Sequence, residues 1–236
     1  LDLIRARFGC DVKELSEENM VGVKDAIDRA TGQYAFGDEW TGSALQLTLL
    51  WHFSHWRIRQ LREQHQWTAR SIMPPGMHNR VVVLMADLCS FSSYVRDTPE
   101  DGIVREALTA FYSKSRYAVL NTGGMLYQFV GDQIIGLFGI PDQQDDYLQS
   151  ALACAHSLVD IGESVMNEWQ RHIDRVQTTQ GVHIGMALGE IQIVSLRPFG
   201  RAHLGAVSDE INMAARLVAQ AGCGEVMISN SFYQSL

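Results

Sequence analysis

The chain of 236 residues is long enough for one domain of ordinary size plus an extension. With 46% hydrophobic and 19% charged residues it is globular rather than disordered, and a formal net charge of -8 argues against a nucleic-acid-binding surface. Four scattered cysteines (Cys10, Cys89, Cys154, Cys223) form no pair motif, so no disulfide framework and no zinc site are expected, which fits a reduced, cytoplasmic setting.

No apolar run approaches the length of a membrane span, so no membrane insertion is expected within this chain. The start at Leu1 leaves open a longer, membrane-linked protein. Residues 1–70 read as a helical N-terminal region, signal-transducing or dimerising. Glu17 to Ala30 has helix-forming composition behind Ser16 as N-cap, and Gly32 to Gly37 is a loop. From Thr41 to Gln66 the apolar residues Leu45, Leu47, Leu49, Leu50, Phe53, Trp56, Ile58 and Leu61 fall close to helical spacing. His52, His55 and His65 on this aromatic-rich stretch read as packed or surface residues rather than metal or haem ligands.

Pro74-Pro75-Gly76 breaks the chain, and residues 71–78 read as a linker. Residues 79–236 form the second unit, whose order strand, helix, strand, strand, helix, strand predicts an α+β, ferredoxin-like βαββαβ domain. The strand Val81–Ala86 is apolar on both faces, hence central. A helix spans Glu100–Leu120, and a Gly131-Asp132 hairpin joins strands Met125–Val130 and Ile134–Phe138. A long helix covers Asp145–Arg171, and Val182–Ala187 and Ile191–Ser195 read as two further strands. The helix Glu210–Gln220, a strand at Glu225–Ser229 and a helix from Asn230 complete the chain.

Two aspartates sit where apolar strands end: Asp87 in Ala86-Asp87-Leu88-Cys89-Ser90-Phe91-Ser92, and Asp132 in the Gly131-Asp132 turn. Carboxylates at such places hold magnesium against a triphosphate, and two facing each other make a two-metal site for phosphoryl chemistry. The plainer alternative makes Asp87 a helix N-cap and Asp132 a type I′ turn residue. Asn212 and Arg216 lie four apart in Ile211-Asn212-Met213-Ala214-Ala215-Arg216-Leu217, so they share a helix face.

These three segments, in this order, resemble the catalytic domain of the class III nucleotide cyclases, the adenylate and guanylate cyclases. The resemblance runs from about Asn79 to the C-terminus, with Ile211 where the family has valine. It implies an enzyme that cyclises a nucleoside triphosphate, ATP by preference, to the 3′,5′-cyclic nucleotide and pyrophosphate. It implies two Mg2+ or Mn2+ ions per active site, held by Asp87, Asp132 and the Leu88 carbonyl. Cys89, Ser90, Phe91 and Ser92 would bind the phosphates through backbone N–H groups and the Ser92 hydroxyl. Asn212 would orient the ribose and Arg216 the α-phosphate. The family's sites lie between two catalytic domains, so a homodimer is expected.

The chain departs from the family where the base is selected. Adenylate cyclases carry Lys four before the second aspartate and Asp or Thr seven before the asparagine; guanylate cyclases carry Glu and Cys. Here these positions are Gln128 and Gly205. Pyrimidine (uridylate or cytidylate) and guanylate cyclisation are therefore alternatives, as is a degenerate nucleotide-binding dimerisation module. Family members also continue into strands carrying a lysine for the triphosphate, which are expected to be missing beyond Leu236, with Arg197 and Arg201 as substitutes.

Overall fold

The computed structural model describes residues 49–65, 76–173, 177–196 and 203–236. In chain order these form α1 (His55–His65), β1 (Gly76–Leu88), α2 (Phe91–Asp97), α3 (Asp101–Asn121), β2 (Met125–Val130), β3 (Gln133–Phe138) and α4 (Tyr147–Gln170). There follow β4 (Val182–Leu196), β5 (His203–Val207), α5 (Asp209–Val218), β6 (Val226–Ile228) and α6 (Asn230–Tyr233). The expected helix at 17–30 and loop at 32–37 lie outside the described residues.

One sheet carries the strands in the order β2-β3-β1-β4-β5, with β6 parallel to β4 along part of its length. Four of them, β2-β3-β1-β4, are antiparallel and reproduce the ferredoxin-like order. The alternation of β1 sorts the core. Val82, Leu84, Ala86 and Leu88 face the cluster formed with α3 and α4. Val81, Val83 and Met85 face the other side, with Ala214 and Val218 of α5 and with Leu49, Phe53, Ile58 and Leu61. Burial on both faces explains why β1 reads as an unbroken apolar run. The sheet curls: the Ala206 N–H of β5 donates to the Tyr127 hydroxyl of β2 (2.9 Å), although these strands end the sheet order on opposite sides.

Several boundaries differ from the sequence reading. Residues 182–196 form one strand rather than two, because β4 pairs with β1 from Val182 to Ile193, straight through the expected gap. Gly189 makes no turn: it pairs with Val81 inside the strand. The first residues of β1, Gly76–His78, come from the segment read as linker, and a bulge between His78 and Val81, with Arg80 at φ 55, separates them from the rest of the strand. Strand β5 has no counterpart in the sequence reading.

The described part of the N-terminal region straps the β2 edge. A helical turn at 49–52 and α1 are separated at Phe53-Ser54, and the Ser54 hydroxyl accepts the Arg57 N–H (3.1 Å), capping α1. His52 is buried with Nδ1 2.6 Å from the Leu126 carbonyl of β2, so it is a packed residue; His55 is exposed. Arg116 of α3 donates to the Leu50 carbonyl (2.7 Å), and Trp51 meets Phe129 edge-on. No helix among the described residues is long and apolar enough to cross a membrane.

Candidate active site

Strand register brings the two aspartates together. Asp87 follows the parity of Val83 and Met85, so it points to the α5 side of the sheet. Its partners are Gln133 on β3 and His183 on β4. Asp132 precedes Gln133 in the two-residue turn between β2 and β3, and its carboxyl hydrogen-bonds that of Asp87. Asp87 is inside β1 and does not cap a helix; the residue before α2 is Ser90. Gly131 has φ 62 while Asp132 stays out of the left-handed region, the pattern of a type II′ rather than a type I′ turn. The Tyr112 hydroxyl donates to the Gly131 carbonyl, and its ring stacks on Phe129 (centroids 4.2 Å apart), which fixes the hairpin tip.

Both carboxyls resist ionisation. Asp87 is pushed up to about 6, first by burial, then by the charge of Asp132 and the hydrogen bond to it; His183 and the Leu88 N–H act the other way. Asp132 is also raised, by burial, with its own N–H and Asp87 opposing. Two half-buried carboxyls in contact cannot both be charged without a counter-ion. Their oxygens therefore fit a hard divalent cation, magnesium or manganese.

The turn after β1 is committed in part to the fold. The Cys89 N–H donates to the Gly181 carbonyl (3.0 Å), and those of Ser93 and Tyr94 bond Ser90 O. Ser90 has φ 55 and shares a hydroxyl hydrogen bond with Thr179. Phe91 packs edge-on against Trp169, while Ser92 is exposed.

Helix α5 opens with Ser208, whose hydroxyl accepts the Ile211 N–H (3.1 Å). Its buried residues Ala214 and Val218 lie against β4. A Cβ on Gly185 would come within 2.3 Å of the Ala214 carbonyl, so only glycine admits the helix at this depth. Asn212 and Arg216 occupy the opposite side of α5 and are exposed, as are Met213 and, on nearby strand ends, Val130 and Val207. Gln128 pairs with Ile135 and so shares the α5 side; Gly205 is buried in β5. The Tyr127–Ala206 hydrogen bond joins the neighbours of these two positions. The structure thus joins Asp87 to Asp132 and Gln128's strand to Gly205's, and leaves Asn212 and Arg216 facing solvent. Arg197 and Arg201 lie outside the described residues.

His183, Gly185, Gly189 and Tyr127 were not singled out in the sequence. For Gly185 a signal existed: glycine within a strand marks close backbone approach. His183 and Tyr127 are set by cross-strand partners, which single-strand patterns do not reveal.

Residues 73–236 match the family model described as Adenylate and Guanylate cyclase catalytic domain. No curated protein matches the chain. Among solved structures it is similar to the guanylyl cyclase Cya2, at 23% identity over 68% of this chain and 80% of that one, with a TM-score of 0.61. The adenylyl cyclase CyaB from P. aeruginosa aligns at 20% identity over 67% of this chain and 81% of its own (TM-score 0.58). The guanylate cyclase domain of RhGC from Catenaria anguillulae, solved in complex with GTP, aligns at 20% over 67% and 82% (TM-score 0.55). These likenesses establish a shared fold.

Proposed function

The chain belongs to the adenylate and guanylate cyclase catalytic domain family, and from that premise we propose that it cyclises a nucleoside triphosphate, ATP by preference, at sites shared between two copies of the chain. The observation that carries this reading is the contact between the Asp87 and Asp132 carboxyls on neighbouring strands, each half-buried and each raised by burial.

In the reaction the ribose 3′-oxygen bonds to the α-phosphorus. The bond from that phosphorus to the bridging oxygen breaks, pyrophosphate leaves with the electron pair, and the hydroxyl proton passes to water. Two Mg2+ or Mn2+ ions held by Asp87, Asp132 and the Leu88 carbonyl would supply acidification of the 3′-hydroxyl and neutralisation of the leaving group. Because the Cys89 N–H is bonded to Gly181, the phosphate-facing donors in this reading are the N–H groups of Ser90, Phe91 and Ser92 with the Ser92 hydroxyl. Asn212 holds the ribose and Arg216 the α-phosphate charge. Their outward exposure on α5 suits delivery to the carboxylates of a second copy in a two-fold dimer.

Gln128 both donates and accepts, and Gly205 brings no side chain, so the base pocket is not built for one purine alone. The deciding experiment incubates the protein with manganese and ATP, GTP, CTP or UTP separately and weighs the products. Cyclic AMP as main product is expected. A cyclic pyrimidine nucleotide or cyclic GMP as main product would reassign the base, and no cyclic product from any of the four would leave a nucleotide-binding dimerisation module.

A further inference from the structure

A second group of ligand-type side chains stands beside the carboxylate pair. Cys89 follows β1, His183 is near the start of β4, and Cys223 lies in the loop between α5 and β6. One ligand atom from each lies within 4.8 Å of the others, and among the described residues this is the one such trio of His, Cys, Asp or Glu. The residues are far apart in sequence, which is why cysteine spacing gives no sign of them.

The trio is held rather than merely adjacent. His183 Nδ1 is 2.8 Å from the Ala221 carbonyl. Only a protonated nitrogen can face a carbonyl, so Nδ1–H donates and Nε2 is the ring atom left to face a cation. A carbonyl acceptor behind the ring is the usual arrangement of a metal-binding histidine. The Cys89 N–H bonds the Gly181 carbonyl (3.0 Å) and the Gly224 N–H bonds the Val182 carbonyl (2.8 Å). Both cysteine-bearing segments are thus tied to the chain that leads into His183. Cys89 is buried, His183 half-buried and Cys223 exposed, so the group opens to solvent on one side.

We propose that Cys89, His183 and Cys223 form a zinc site, separate from the Asp87–Asp132 pair, with its fourth coordination position open. Thiolate and imidazole ligands suit zinc and not magnesium. Zinc–sulfur bonds of about 2.3 Å and zinc–nitrogen bonds of about 2.0–2.1 Å place tetrahedral ligand atoms roughly 3.6–3.8 Å apart. The three side chains therefore need to close by no more than about an ångström. On binding, Zn2+ displaces one proton from each thiol to the buffer, leaving two thiolates, a neutral imidazole and no net charge at the site. The ion would join the exit of β1, which carries Asp87, to the entry of β6.

The test uses the full chain, purified under reductant, stripped with a chelator and titrated with Co2+ as a spectroscopic probe. One equivalent per chain, with thiolate-to-cobalt charge-transfer absorption displaced by equimolar Zn2+, is expected. Cys223→Ser, at an exposed position, is expected to abolish the absorption and weaken zinc binding at least about 100-fold, beyond what loss of an outer hydrogen-bond partner causes. Asp132→Ala is expected to retain both. No charge-transfer absorption in the wild type, absorption that survives Cys223→Ser, or absorption lost in Asp132→Ala would overturn the site, as would a Cys89–Cys223 disulfide in the reduced preparation. None of these readouts depends on cyclisation.

Discussion

Asp87 and Asp132 meet within one chain, whereas Asn212 and Arg216 are turned outward on α5. The carboxylate half is fixed by backbone register: β1 sets Asp87 against Gln133, and a two-residue turn sets Asp132 next to Gln133. The donor half is fixed by packing depth, with Ala214 and Val218 seated on β4 so that the opposite helix face is exposed. In the proposed reading, the carboxylate half is preorganised within one chain and the donor half is supplied by a second copy.

The largest test of this contrast is to remove the carboxylates. Asp87→Ala and Asp132→Ala are each expected to lower kcat by more than about 10³-fold, measured as cyclic product by mass, because the cations lose their holder. Melting of the metal-free variants at neutral pH is expected to be unchanged or higher, since each substitution relieves a like-charge contact. Arg216→Ala is expected to lower kcat about 10²–10³-fold, as for loss of other donors aimed at developing charge, with no change in melting because the side chain is exposed. Mixing Asp87→Ala with Arg216→Ala chains then sharpens the comparison. Random exchange makes half the dimers mixed, each with one intact site of two, so recovery of up to about a quarter of wild-type activity is expected. No recovery after verified exchange would mean that the two halves complete each other within one chain.

Gly185→Ala probes the packing of the donor half. The added Cβ would sit 2.3 Å from the Ala214 carbonyl, and a loss of about 1–3 kcal/mol in urea denaturation is expected, as for overpacked cores. A fully stable variant would show that α5 is not seated at this depth. The smallest effect concerns pH. Asp87 is raised from 3.8 to about 6, so the folded chain holds a proton that the unfolded chain releases. Its contribution is fully present below the unfolded value and is lost as pH rises through about 6. Metal-free protein is expected to lose this increment between acid and neutral pH, and Asp87→Asn to lose the dependence. Added Mn2+ is expected to raise the melting temperature more above that range than below it. An equal rise at both would separate the cation from Asp87.

Much of the fold was legible in the chain because it rests on local patterns. The run Val81–Ala86 announced a central strand, Gly131-Asp132 a hairpin, and Ile211–Leu217 a helix with a polar stripe. The resemblance drawn from these three segments agrees with the family match over 73–236. Less legible were β4, which reads as two strands around Gly189 until β1 pairs with both parts, and β5, whose pairing with Gln192–Leu196 of β4 depends on a distant partner.

The order of residues along the chain was by itself enough to determine the βαββαβ succession and the family, since both are written in periodicities and short motifs that a single segment expresses. Which side chains touch was decided only when the sheet closed. Strand register carried Asp87 to Asp132 and His183, curling brought Tyr127 to Ala206, and one loop carbonyl turned His183 toward two cysteines from opposite ends of the domain. Such contacts depend on register and packing depth between segments far apart in sequence, and no single segment contains that information.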